Sequence, residues 1–233
     1  KKNKFYRFDG FAMDSRDIKK DNLFLAFKGK YNDGNKFISK AIEKGAKYII
    51  SSKNTKKNKN RIIKVEDPIN FLNKFAYLKR ESCNASIVAI TGSTGKTSLK
   101  NILKRLFEKF GNTYASPKSF NNHYGVPLSL ANLNLNHKFG VFEVGMSKPG
   151  EINQLSKMIK PQLAIITNIA EAHIENFKNI KGIAKAKSEI INNIQTNGKV
   201  ILNRDDKFFK YLNAKAKQRN IKVISFGKSI KSD

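Results

Sequence analysis

A single cysteine, Cys83, excludes an internal disulfide framework and fits a reducing compartment. Its expected role is that of a small residue near a domain junction. One cysteine and 3 scattered histidines offer no cluster at zinc-ligand spacing. No apolar run approaches the length of a membrane span and no signal peptide is visible, so a cytoplasmic protein without membrane contact is expected. Acidic residues are scarce, 18 against 46 Lys and Arg, for a net charge of +28. Nucleic-acid binders carry such an excess because counterion release drives their affinity. Here, however, lysines run through every segment, mixed with asparagine and isoleucine, and all three have A/T-rich codons. Only Lys53 to Arg61 forms a dense basic tract, which reads as a surface loop. Codon bias accounts for the charge, and no nucleic-acid partner is expected. The field still favours anionic substrates.

The stretch from Ser86 to Ser98, SIVAITGSTGKTS, organises the chain. A β-branched apolar run leads into two glycines, a lysine and a threonine. Leu99, Ile102, Leu103, Leu106, Phe107 and Phe110 then recur at helical spacing, and Gly111 stands where a helix would stop. Strand, glycine loop and helix together aim backbone N–H groups at an anion on the positive end of the helix dipole. Lys96 adds a point charge for outer phosphates, and Thr97 offers a hydroxyl to Mg²⁺. The full phosphate-loop pattern has a further glycine where this chain has Ile90, so the loop is one residue tighter.

Length allows one large or two modest domains. Residues 1–82 read as a small α/β unit. Its strands are Leu23 to Phe27, Tyr48 to Ile50 and Ile62 to Val65. One helix carries Phe37, Ile38, Ala41 and Ile42, and another opens at Pro68. Asp14-Ser15-Arg16 precedes the first strong strand. It is a turn by structure, while Ser15 and Arg16 have the chemistry to grip a phosphate or a uracil edge. Residues 83–233 alternate strand and helix, which implies a mostly parallel sheet with helices on both faces. Asn121 and Asn122, ahead of Gly125 and Pro127, read as a rigid polar loop. Val141 to Gly145 is read as the second strand of this domain. Glu143 interrupts its apolar run at the sheet's carboxyl end, where α/β sheets bind ligands, and it can face Thr97 as an Mg²⁺ ligand or sit in a salt bridge. Leu163 to Thr167 is a strand with Asn168 and His173 in the loop after it. A further helix takes Ile180, Ile183, Ile190, Ile191 and Ile194 as its apolar face. Lys187 falls inside that stripe and Lys185 opposite it. An inward lysine snorkels, acts as a nucleophile, or takes up CO₂ as a carbamate. Strands Lys199 to Leu202, with Asn203 at its end, and Val223 to Phe226 close the chain.

Read together, these segments resemble the Mur ligases. The tight loop Thr91 to Thr97 is similar to that family's own phosphate loop. Asn121 to Leu128, Phe142 to Ile152, Thr167 to His173 and Ala184 to Ile190 resemble the branch that ligates a D-alanyl-D-alanine dipeptide. Asp14 to Arg16 with Leu23 to Gly29 resembles the amino-terminal domain that holds the UDP end. The resemblance implies ATP-dependent amide ligation in peptidoglycan precursor synthesis. A UDP-N-acetylmuramoyl-tripeptide carboxylate would be activated as an acyl phosphate and attacked by D-alanyl-D-alanine. It also implies site roles. Gly92, Ser93, Thr94, Gly95, Lys96, Thr97, Ser98, Asn168 and Asn203 would hold ATP. Thr97 and Glu143 would serve one Mg²⁺, and His173 with a carbamylated Lys187 a second. Lys96, Lys187, His173 and Asn122 would be catalytic. Asn121 and Asn122 would position substrate, and Ser15 and Arg16 would contact UDP. The family's third, carboxyl-terminal domain is not matched, so a monomeric fragment with an incomplete central domain, inactive alone, is expected. The alternatives are a ligase of the Mur or folylpolyglutamate type adding one amino acid, and a non-catalytic basic nucleic-acid binder.

Overall fold

A computed structural model describes residues 5–29, 32–53, 58–171, 174–228 and 232–233. The chain divides into two compact units, Lys1–Leu78 and Lys79–Asp233.

In the first unit, strands β1 (Phe11–Ala12), β2 (Leu23–Ala26), β3 (Tyr48–Ser51) and β4 (Ile62–Lys64) form one parallel sheet in sequential order, with helix α1 (Ile38–Glu43) between β2 and β3. Sequential parallel strands need crossovers, and α1 is the longest of them. Phe24, Ala26, Ile38, Ala41, Ala46 and Ile49 make the core. The four residues of β2 are all buried, as expected of a strand covered on both faces. Helix α2 (Pro68–Glu81) opens on Pro68, whose missing N–H costs nothing in a first turn.

The second unit runs β5 (Ser86–Thr91), α3 (Lys96–Phe107), β6 (Thr113–Ala115), α4 (Gly125–Ala131), β7 (Phe139–Glu143), α5 (Glu151–Ile159), β8 (Leu163–Ile166), α6 (Ile180–Ser188), β9 (Lys199–Asn203), α7 (Phe209–Gln218) and β10 (Lys222–Phe226). All six strands are parallel, in the order β10-β9-β8-β5-β7-β6. The chain builds β6 and β7 on one side of β5, then crosses to build β8, β9 and β10 on the other. The carboxyl end of β5 is therefore the switch point at which such sheets open a ligand crevice.

Four local readings change. The short strand β6 was not evident in the sequence, because Thr-Tyr-Ala is too brief to show alternation. The residues read as a rigid loop from Asn121 to Pro127 instead start α4 at Gly125. The Asn122 side chain accepts from the backbone N–H groups of Tyr124 (3.1 Å) and Gly125 (2.9 Å), and Pro127 lies in the first turn. The isoleucine helix stops at Ser188 and tightens into a 3-10 turn, Glu189–Asn193, so Ile190 and Ile191 are buried from that turn, with Ile194 just beyond it. On α3 only Leu99, Leu103 and Phe107 pack against Val88, Ile90, Val141 and Ile165; Ile102, Leu106 and Phe110 are exposed.

Arg80, 5 % exposed, ties the start of this unit together. Its guanidinium donates to the carbonyls of Ile159 (2.6 Å), Cys83 (3.2 Å) and Lys160 (2.8 Å). Burial lowers its pKa from the ordinary value. Arg80→Ala is expected to cost about 3 kcal/mol, since it strands these acceptors, and to lower the thermal midpoint by roughly 6–12 °C. Arg80→Lys should recover little, because an ammonium lacks the planar fork. Differential scanning calorimetry of the two variants checks this. Cys83 is buried and unpaired, as a small packing residue should be.

Candidate nucleotide site

The loop between β5 and α3 is held by the strand beside it. Asn168, just past β8, accepts at its side-chain oxygen from the N–H groups of Ser93 (3.1 Å) and Thr94 (3.0 Å), and its amide donates to the Thr94 hydroxyl (2.7 Å). Thr167 donates its hydroxyl to the Thr94 carbonyl at 2.6 Å. The Ser93 hydroxyl both donates to the Ala170 carbonyl and accepts from the Ala170 N–H, each at 2.8 Å. Gly92, at φ +148°, makes this approach possible: a Cβ there would lie 1.8 Å from the Thr167 hydroxyl oxygen. Gly95, at φ +80°, precedes α3 without any side-chain cap, and a Cβ on it would meet nothing within 4 Å. The loop is thus braced on the Ser93–Thr94 side and leaves the first N–H groups of α3, from Lys96 to the exposed Ser98, for an anion.

Lys96 folds back onto the loop, donating to the carbonyls of Gly92 (2.8 Å) and Ser93 (3.3 Å). Burial pushes its pKa down and Glu143 partly opposes that. Glu143, 1 % exposed, ends β7 beside β5. Its carboxylate accepts from the Thr97 hydroxyl (2.8 Å) and the Asn121 amide (2.7 Å), and the Lys100 ammonium stands 3.8 Å away. Asn121 can reach it because Gly145 has no side chain: a Cβ there would fall 2.8 Å from the Asn121 side-chain carbon. The alternatives for Glu143, metal ligand or salt-bridged carboxylate, are therefore not exclusive.

The donor set suits Mg²⁺. Two oxygens adjacent on an octahedral Mg²⁺ with bonds of about 2.0–2.1 Å stand roughly 2.9 Å apart, and the Thr97 and Glu143 oxygens are 2.8 Å apart. Among the described residues no group of three or more His, Cys, Asp or Glu could hold a metal ion. A metal here would take Thr97, Glu143 and ligand oxygens.

Lys187 is 3 % exposed on α6, inside the apolar face as its spacing predicts, while Lys185 is exposed. Burial, aided by the charge of Lys96, brings its pKa down to about 7. It has no acidic partner among the described residues. His173 lies outside the described residues. Asn203, at the carboxyl end of β9, accepts from the N–H of Asp205 at 3.0 Å and so shapes its own turn. In the first unit, Ser15 and Arg16 line a cavity of about 520 Å³ at the carboxyl ends of β1 and β2, with Phe27, Asn32, Phe37 and Lys40. The Arg16 guanidinium is paired with Asp14 at 2.6 Å, which raises its pKa.

Sequence reasoning missed Lys100, Ser116 and Glu189. Ser116 accepts from the Glu143 N–H at 3.3 Å. Glu189 accepts from the N–H groups of Gly150 (2.9 Å) and Asn153 (3.0 Å), fixing the turn after Lys187 to the start of α5. Only Lys100 carried a signal: it lies one helical turn from Lys96 and Thr97, at the margin of the stripe of Leu99, Leu103 and Phe107.

A parallel sheet with a Gly-Ser-Thr-Gly-Lys-Thr loop at its switch point, facing a carboxylate on the next strand, defines a phosphate-loop α/β protein. Comparison with known proteins narrows the class. Residues 90–233 match the Mur ligase middle domain, and residues 7–80 match the domain described as Mur ligase family, catalytic domain. The chain belongs to the Mur ligase family. It is 40 % identical over 222 residues to a UDP-N-acetylmuramoyl-tripeptide–D-alanyl-D-alanine ligase of Rickettsia prowazekii, covering 94 % of this chain and 49 % of that protein. The corresponding ligase of Escherichia coli is 33 % identical over 198 residues, covering 85 % and 44 %. Crystal structures of MurF from Acinetobacter baumannii (TM-score 0.80, 31 % identity, 94 % of this chain and 48 % of that one) and of MurF from Thermotoga maritima in complex with ADP (0.77, 33 %, 94 % and 50 %) share the fold. The chain spans about half the length of the curated relatives it matches.

Proposed function

We propose that this chain provides the UDP-substrate and nucleotide-binding domains, residues 1–82 and 83–233, of an ATP-dependent ligase. The ligase joins D-alanyl-D-alanine to UDP-N-acetylmuramoyl-tripeptide in peptidoglycan precursor synthesis. The observation that carries the reading is the Thr97–Glu143 pair at the mouth of the loop, which gives a nucleotide's metal two hard oxygens beside the α3 N-terminus. Mg²⁺, when bound, supplies charge neutralisation on the phosphates. The protein's own part is positioning more than covalent chemistry. Lys96 leaves its loop carbonyls for the β- and γ-phosphates, and Asn168 keeps the loop open. Gly92, Ser93, Thr94, Gly95 and Ser98 shape the phosphate cradle, and Asn203 borders it. Lys187, once carbamylated, and His173 would hold a second Mg²⁺, which would neutralise charge on the acceptor carboxylate; Asn122, with Asn121, orients the substrate. The cavity beside Ser15 and Arg16, with three phenylalanines and two cations, suits a nucleobase and its diphosphate. The protein works in the cytoplasm as a monomer, with no nucleic-acid or membrane partner.

The assay is ADP release by the whole protein. Release is expected only when UDP-N-acetylmuramoyl-tripeptide and D-alanyl-D-alanine are both present. Release with a single amino acid in place of the dipeptide would move the chain to another branch. Within the cavity, Arg16→Ala should raise the KM for the UDP substrate about tenfold and leave kcat near its starting value.

A further inference from the structure

Lys100 is 2 % exposed and stands on the buried face of α3. Its ammonium donates to the carbonyl of Lys118, in the segment between β6 and α4, and lies 3.8 Å from the Glu143 carboxylate on β7. One side chain thus joins a helix, a strand end and a loop around a single nitrogen. Burying an ammonium is costly, and an apolar side chain of similar size is commonly the more stable choice in such a place. Burial also lowers its pKa, and Glu143 opposes that shift. Packing therefore does not explain this lysine.

We propose that Lys100 is a positioning residue of the nucleotide site: it holds the Glu143 carboxylate against Thr97, so that Mg²⁺ meets a preset pair of oxygens. The inference rests on reading Thr97 and Glu143 as metal oxygens. At 3.8 Å the ammonium attracts the carboxylate while Thr97 and Asn121 make the short hydrogen bonds. Its tether to Lys118 keeps it from swinging into the phosphate space. Without it, the carboxylate keeps two neutral hydrogen bonds and loses the charge nearest to it.

The test is fluorescence titration of a labelled ADP into the chain, with Mg²⁺ in excess and with EDTA. The unsubstituted chain should bind more tightly with Mg²⁺. Lys100→Met should shrink that gain about tenfold or more, the usual cost of losing a partner behind a metal ligand, while affinity in EDTA stays within about twofold. Lys100→Gln keeps a donor for the Lys118 carbonyl without the charge and should show the same loss; it decides the matter if the methionine variant does not fold. In a Glu143→Gln background, Lys100→Met should change the Mg²⁺ gain no further. A full Mg²⁺ gain in folded Lys100→Met or Lys100→Gln overturns the inference and leaves the nucleotide reading standing. No Mg²⁺ gain in the unsubstituted chain overturns the nucleotide reading, and the inference with it.

Discussion

Alanine at position 92 is expected to lower the thermal midpoint of the second unit by about ten degrees and to remove nucleotide binding. Two costs combine. The backbone at φ +148° is one that side-chain-bearing residues rarely adopt. The added methyl would also sit 1.8 Å from the Thr167 hydroxyl, so β5 and β8 must part or the loop must shift. Together these come to about 4 kcal/mol. Thr167→Gly in the same chain removes the side-chain clash and leaves the backbone nitrogen 3.1 Å from the methyl as well as the strain, so the double variant should recover part of the stability and little of the binding. Thermal unfolding and ADP titration of the single and double variants read both effects. A Gly92→Ala chain that unfolds at the original temperature would show that the loop is not held as described.

Lys187→Met is expected to act in the opposite direction, raising stability near neutral pH while ending ligation. The native pKa of Lys187 is about 7, well below the ordinary lysine value near 10.4, because burial and the charge of Lys96 disfavour its ammonium. The unfolded chain then binds the proton more tightly, so stability rises with pH through the window from about 7 to about 10 and is lowest below it. The contribution is on the order of 4 kcal/mol across that window. Methionine fills the same space and carries no charge, so its urea midpoints at pH 6.5 and pH 9.5 should differ less than those of the unsubstituted chain. Parallel profiles would show that Lys187 keeps its proton on folding. The same shift makes the amine available to CO₂. A carbamate signal at Lys187 by ¹³C spectroscopy with labelled bicarbonate, absent from Lys187→Met, is the direct check on that role.

The sequence was most readable where one period or one motif acted alone. The glycine loop, the burial of Lys187 and the parallel strands followed from β-branched runs, helical spacing and strand–helix alternation. It was less readable where a side chain chose between backbone partners. Asn122 reads as loop chemistry, yet its cap starts α4, because the orphan N–H groups of a first turn attract an Asx acceptor. Ile190 and Ile191 read as helix, yet Glu189 leaves the helix to cap α5, and the turn tightens to allow it. The Asn121 amide donates to Glu143, a contact across the chain that no local pattern announces. Contacts between residues distant in sequence, such as Asn168 with Ser93 or Lys100 with Glu143, leave no periodic trace. Lys100 was recoverable only in part, since at 100° per residue it stands past Phe107 at the margin of the α3 stripe, whereas Lys187 falls near the middle of its own.

The central claim is that Lys96, Thr97 and Glu143 form a Mg²⁺-nucleotide site at the switch point of the second sheet. Isothermal titration calorimetry of ADP into the unsubstituted chain and into Lys96→Met, with and without Mg²⁺, at low and high salt, tests it most directly. Binding is expected to depend on Mg²⁺, to survive high salt and to fall at least about tenfold in Lys96→Met. Equal ADP binding by both chains, or no ADP binding alongside a salt-steep affinity for DNA or RNA, would contradict it.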